Sequence, residues 1–506
     1  MTAQPHPSTL ETTPAPLVET SSGAVIGETL EGVRAFKGIP FAQAMRFRRA
    51  APLPAWDAPR RCTAFGPVAP QPGLVTDDAE AGCLTLNIWT PAGIETPLPV
   101  LFFVHGGAFV TGAGSDYDGG HLAKHGPAVI VTINYRLGPL GFLQLDRFGG
   151  ALSEANNLAV TDTLAALDWV RNNVGGFGGD ADAITLIGQS AGAALVVTLM
   201  TLPQARGKFR GAIAFSVPGR GIMPKVQAED IADHFLSALD LAPQNAARIT
   251  DVLVRTLLEA AERVGREVAG NTAHGTLFGP VLDGAVIACD PRQAVADGAM
   301  RGQNLWLSSC RDEMVMFLKT TPPAAMIRVT EARIRAQFGD AGWERLLACY
   351  RDTARTDEDA YEALLSDAMW HRPLEELAQL QDQAGGSVWL SRFDHAAGLE
   401  PFRSQGPTHG ADNACLWAHL PAFVDRPVLK RAGGPMTLAD IEVAARLQAC
   451  VLRFVREGRP DDAAHWPAFT ADRRPLAVFD SPFRIDSIKD TPRDRIWRLL
   501  EDKRSN

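Results

Sequence analysis

Apolar residues in this chain fall into short runs, not long stretches. Residues 183–187 (AITLI), 100–104 (VLFFV), 304–310 (NLWLSSC) and 387–393 (SVWLSRF) are rich in β-branched and aromatic side chains. Runs of this length and composition predict strands, and near-continuous apolar character predicts burial on both faces of a parallel sheet. Residues 193–200 (AALVVTLM) predict a helix packed on the strand just before it. Segments 225–266 and 322–383 are rich in Ala, Leu, Asp and Glu, and predict helical insertions. They are expected over the mouth of any site as cap or lateral helices. The alternation predicts an α/β fold: a central, mostly parallel twisted sheet flanked by helices. One domain is expected over 17–506, preceded by a flexible Thr- and Pro-rich tail at 1–16.

Between the strand at 183–187 and the helix at 193–200 stands Gly188-Gln189-Ser190-Ala191-Gly192. A G-x-S-x-G pattern at a strand-to-helix junction places the serine on a sharp turn with its hydroxyl exposed above the sheet. The glycines are expected because a Cβ there would meet the neighbouring strand or helix. Ser190 is therefore the candidate nucleophile.

A serine hydroxyl needs a base, and the oxyanion formed by its attack needs preorganised donors. The strand at 100–104 runs into His105-Gly106-Gly107-Ala108-Phe109. Its small residues let main-chain N–H groups approach a substrate, which suggests Gly107, Ala108 and Ala191 as donors. His105 reads as a structural residue holding that loop. If the base follows the serine in the chain, the candidates are His234, His274, His371, His395, His409, His419 and His465. His409 lies in a small-residue loop, GPTHGAD at 406–412, beyond the strand at 387–393, and is the best placed. The others sit in polar or helix-like segments that suit solvated or structural histidines. The orienting acid is expected after the strand at 304–310, where Asp312 and Glu313 are neighbours, and the spacing does not choose between them.

The chain resembles the type-B carboxylesterase/lipase family of α/β-hydrolases. The resemblance rests on VRAFKGIPFA at 33–42, AGCLTLNIWTP at 81–91, NYRLGPLGF at 134–142, FGGD at 177–180 and the serine motif, and runs from about Leu17 to about Phe479. The loop HGGAF with GAGS at 112–115 is most similar to bacterial p-nitrobenzyl-esterase-like members. This resemblance implies a serine ester hydrolase without metal or cofactor. It assigns the acid to Glu313, the second acidic residue of an Asp-Glu-Gly motif, and the base to His409 of a His-Gly motif. It also implies a small-molecule ester substrate, with short-to-medium acyl or aryl/bulky-alcohol esters expected, and an amide, carbamate or lactone cleaved by the same residues as the alternative. Three departures stand out. Met314 replaces the family's glycine, Gln189 replaces its glutamate, and residues 41–47 form a shortened loop. The family's disulfide before Cys83 is doubtful, because Ala69 stands near its first position and Cys62 lies further upstream. Tyr135-Arg136 and Asp162 are expected to tie sheet to helices and to take no part in chemistry.

Seven cysteines in 506 residues do not form an even disulfide framework, and residues 1–16 lack a basic segment followed by an apolar core. No run approaches the ~20 apolar residues of a spanning helix. A cytoplasmic enzyme is expected, with no membrane partner, as a monomer or small homo-oligomer. The net charge of −9 argues against nucleic-acid binding. A cholinesterase is disfavoured, since no tryptophan lies between Cys62 and Cys83 to stack on a quaternary ammonium. A non-catalytic scaffolding relative is disfavoured by the intact serine, glutamate and histidine.

Overall fold

The computed structural model describes residues 15–75, 79–219, 222–268, 277–320, 323–398, 400–417 and 437–505; the tail expected at 1–16 lies almost wholly outside them. Eleven strands build one sheet. In chain order they are β1 (Glu28–Leu30), β2 (Val33–Pro40), β3 (Thr85–Pro91), β4 (Leu98–Val104), β5 (Val129–Ile133), β6 (Gly179–Gln189), β7 (Gly211–Phe215), β8 (Asn304–Cys310), β9 (Ser387–Phe393), β10 (Pro475–Phe479) and β11 (Arg484–Ser487). Across the sheet the order is β11-β10-β9-β8-β7-β6-β4-β5-β3-β2-β1. Every pairing from β5 to β10 is parallel. The flanking strands β1, β2, β3 and β11 join antiparallel.

The expectation of strands buried on both faces is met residue by residue. Along β4, Val100, Phe102 and Val104 enter one core while Leu101 and Phe103 enter the other. In β8, Leu305 and Leu307 face the first core and Trp306 the second. Side chains alternate across a strand, so an unbroken apolar run is what two covered faces require.

Helices α1 (Leu158–Asn173) and α2 (Ala191–Thr201) cover the first face. The segment expected to be helical at 225–266 contains α3 (Lys225–Ala238) and α4 (Val254–Val268). The segment at 322–383 contains α5 (Pro323–Arg351), interrupted at Gly339, then α6 (Asp357–Ser366), a π-helical turn at Asp367–His371 and α7 (Arg372–Gln383). Helix α8 (Leu438–Glu457) covers the second face through Val443, Leu447, Val451 and Phe454. The C-terminal α9 (Pro492–Ser505) packs on α5 and α6 in a separate small core of Trp343, Leu346, Tyr350, Leu364 and Trp497.

One buried ion pair locks sheet to helix. The Arg136 guanidinium meets Asp162 of α1 at 2.6 Å, both side chains nearly inaccessible, and Arg136 also donates to the carbonyls of Met45 and Arg48 at 3.0 and 2.7 Å. All seven cysteines are free, Cys62 and Cys83 both buried.

Candidate active site

The carboxyl ends of the parallel strands gather the candidate chemistry at one edge of the sheet, where ligands bind in open α/β folds. Ser190 follows β6, Ser216 follows β7, Glu313 follows β8, and His409 lies in the connection after β9. The loop carrying Gly107 and Ala108 follows β4.

Ser190 has φ 56° and ψ −123°, outside the regions an L-residue ordinarily occupies. The turn is enforced by packing. A Cβ on Gly192 would lie 2.1 Å from the carbonyl oxygen of Val104, and one on Gly188 would lie 2.4 Å from that of Gly192. Neither strand nor helix can retreat, so glycine is obligatory and the strain falls on the serine between them.

Ser190 Oγ and His409 Nε2 are 2.8 Å apart, and His409 Nδ1 is 2.6 Å from Glu313 Oε2. The structure therefore brings together the three residues singled out from sequence, and it separates Asp312 from Glu313. Asp312 turns outward to Arg311 at 2.9 Å, whereas Glu313 is wholly buried. The other Glu313 oxygen accepts from Ser216 Oγ at 2.6 Å and from the Cys310 N–H at 2.8 Å. Both carboxylate oxygens are thus committed, which fixes the carboxylate plane against the imidazole. His409 is held as firmly. Its neighbour Thr408 is buried and takes the Met316 N–H at 2.8 Å, and the short helix Ala411–Trp417 begins two residues on. The small-residue loop therefore holds the His409 ring in place.

The Gly107 loop is equally constrained. Ala108 and Phe109 carry positive φ values of 54° and 66°. Gln71 grips Gly112 through both its N–H and its C=O, at 3.0 and 3.1 Å. Tyr135 donates to the His105 carbonyl at 2.8 Å and stacks on the His105 ring at 4.4 Å. His105 has the loop-holding place expected of it. Among the described residues, the N–H groups of Gly107 and Ala108 donate to no protein acceptor. The loop abuts Ser190, since a Cβ on Gly106 would lie 3.1 Å from Ser190 Cβ. Ala191 opens α2, so its N–H has no acceptor within the helix.

Several neighbours were not singled out from sequence. Ser216, with φ 52°, supports Glu313. The rings of Trp370 and Phe317 approach the His409 ring at 4.5 and 5.0 Å. Gln189, already noted from sequence as a departure, brings a neutral amide nitrogen to 3.3 Å from His409 Nε2. Burial and the adjacent Glu313 push the Asp412 carboxyl up to about 7, and burial raises the nearby Cys310 thiol well above its usual range. No local pattern marks Ser216, Phe317 and Trp370, because each of these contacts joins positions far apart in the chain. Of the remaining histidine candidates, His274 and His419 lie outside the described residues. His395 pairs with Asp440 at 2.7 Å, away from Ser190's partners.

Residues 14–497 match the model of the carboxylesterase family. The chain belongs to that family. It is 31% identical over 485 residues to the para-nitrobenzyl esterase of Bacillus subtilis (strain 168), covering 93% of this chain and 96% of the relative. It is also 31% identical over 480 residues to a probable N-octanoylanthranilate hydrolase of Rhodococcus erythropolis, covering 89% of this chain and 94% of that one. A solved structure named PNB esterase superposes with a TM-score of 0.81 at 31% identity, over 96% of this chain and 99% of the other. The fold is that of the α/β-hydrolases, as the sequence resemblance implied. Among the described residues, no helix is long and apolar enough to cross a membrane.

Proposed function

We propose that this family member hydrolyses carboxylic esters through an acyl-enzyme on Ser190. The observation that carries the reading is the unbroken hydrogen-bonded line from Ser190 through His409 to the buried Glu313, at 2.8 and 2.6 Å. In this reading His409 Nε2 takes the hydroxyl proton as Ser190 Oγ attacks the ester carbonyl. The negative charge on the carbonyl oxygen is met by the N–H groups of Gly107, Ala108 and Ala191. Glu313 holds the proton on His409 Nδ1, so that Nε2 faces the serine as a base, and stabilises the imidazolium that forms. The tetrahedral adduct collapses when His409 returns its proton to the departing alkoxide, releasing the alcohol. Water then attacks the acyl group by the same path and frees the acid and the serine. No step calls for a metal or cofactor.

The small residues of the Gly107 loop leave room around the alcohol carbon, which favours aryl or bulky-alcohol esters; short-to-medium acyl esters are the other expected class. The same machinery suits an N-acyl bond, and the relative named for N-octanoylanthranilate motivates that second reading. The test is hydrolysis of p-nitrophenyl acetate, butyrate, octanoate and palmitate, and of octanoyl anilide, by wild type and Ser190→Ala. Turnover of the shorter esters that vanishes in Ser190→Ala is expected. Turnover of the anilide alone would favour the second reading, and activity surviving in Ser190→Ala would overturn both.

A further inference from the structure

Packed against the segment that carries Glu313 lies the π-helical turn Asp367–His371. Such turns are uncommon and recur at functional sites. This one grips the acid's loop at two residues. His371 Nε2 is 2.9 Å from the carbonyl of Cys310, the residue whose N–H holds Glu313. Ser366 Oγ, just before the turn, takes the N–H of Met314 at 3.1 Å, and the Trp370 indole N–H points at the Met314 sulfur at 3.2 Å. Glu313 is therefore clamped through the backbone on either side, and Trp370 lies against the His409 ring as well.

The two nitrogens of His371 both face acceptors. Nε2 faces the Cys310 carbonyl, and Nδ1 faces Asp367 Oδ1 at 2.8 Å. A neutral imidazole has one N–H and can satisfy one of them; only the imidazolium satisfies both. Asp367 is braced in turn by the Tyr350 hydroxyl, which accepts from the Trp497 indole N–H of α9 at 2.9 Å. The charged and titratable groups facing His371 are Asp367 on its own turn, Glu313 beyond Cys310 and Glu362 on α6, with Tyr350 of α5 and Arg493 of α9 on the far side of Asp367. Desolvation alone would lower the pKa of His371, but the hydrogen bond and charge of Asp367 raise it to about 9.

We infer that the turn Asp367–His371 is a positioning device for the acid–base pair. His371, as an imidazolium anchored by Asp367, fixes the Cys310 main chain that carries Glu313, and its charge biases the carboxylate and the base beyond it. The inference rests on the reading of Ser190, His409 and Glu313 given above. It gives a role in the reaction to a segment that the sequence marks only as a helical insertion, and it makes Met314, where the family resemblance implies a glycine, a point that the segment holds.

The test compares wild type, His371→Gln, Asp367→Asn and Ser190→Ala in kcat, KM and the pH dependence of kcat/KM on p-nitrophenyl butyrate, with circular dichroism as the check on folding. Both turn variants are expected to lose roughly tenfold or more in kcat with KM within about twofold, since misplaced catalytic groups cost rate more than binding. In His371→Gln the acid limb is expected to move up by about half a pH unit, because a lost neighbouring cation eases protonation of the base. Folded variants with wild-type kcat and an unmoved acid limb overturn the inference while leaving Ser190 as nucleophile. Activity persisting in Ser190→Ala would instead sink the underlying reading. If the turn variants do not fold, the ¹⁵N spectrum of histidine-labelled enzyme at pH 8 decides. A doubly protonated ring that persists in His395→Gln supports the inference, and its absence overturns it.

Discussion

Replacing Glu313 by glutamine preserves shape and changes which atoms can accept. In the native site, Oε1 receives two donors, Ser216 Oγ and the Cys310 N–H, and Oε2 faces His409 Nδ1. A glutamine amide must put its oxygen where the two donors converge, because the opposite flip sets NH₂ against the Cys310 N–H, donor against donor. The amide nitrogen then faces His409 Nδ1 and turns that atom into an acceptor. The ring proton moves to Nε2, where it points at Ser190, and the base is lost although nothing has moved. Loss of the correct tautomer in a serine–histidine–acid site lowers kcat by about 10³–10⁴-fold, or about 4–5.5 kcal/mol of barrier. The assay is kcat on p-nitrophenyl butyrate for Glu313→Gln beside Asp312→Asn, whose carboxylate pairs outward with Arg311 and whose loss should change kcat by less than about threefold. A loss below about tenfold in a folded Glu313→Gln, or equal losses in the two variants, would refute the tautomer argument.

Three further outcomes are expected. Ser216→Ala removes one of the donors to the buried carboxylate, and kcat/KM should fall about tenfold with the fold intact, a hydrogen bond to a charged group being worth about 1.5–3 kcal/mol. Arg136→Met leaves Asp162 charged and buried without its partner, and urea unfolding should show a loss of about 3–5 kcal/mol, part of it regained in the Arg136→Met/Asp162→Leu double variant. His371 binds its proton more tightly folded, with a pKa near 9 against 6.5. Its stabilisation is therefore full below about pH 6.5 and lost as pH rises through 9, on the order of 2 kcal/mol after allowance for its partial exposure, and this fall in Tm should be absent from His371→Gln.

How much of the site was legible depended on how local each cause is. The serine turn was legible because strand, glycines and helix are contiguous, and a Cβ on Gly188 would collide with Gly192 of the same turn. The strands were legible because double burial writes itself as an unbroken apolar run. The choice between Asp312 and Glu313 was not, since adjacent residues point opposite ways and only the turn after β8 decides which one meets His409; family resemblance supplied what spacing could not. Ser216 left no sign, being one small polar residue after an apolar strand, 97 positions from the carboxylate it serves. His371 read as a structural histidine in a helical segment because its partners, Cys310 and Asp367, come together only when α6 and the π-turn dock behind β8.

In the proposed reaction the acyl group passes through Ser190. Enzyme mixed with excess p-nitrophenyl butyrate, quenched in acid within milliseconds and digested, should yield the peptide containing Gly188 to Gly192 carrying one butyryl group on Ser190. That adduct should be absent from Ser190→Ala. A butyryl group on another residue, or rapid turnover with no acylated peptide at any quench time, would contradict the claim.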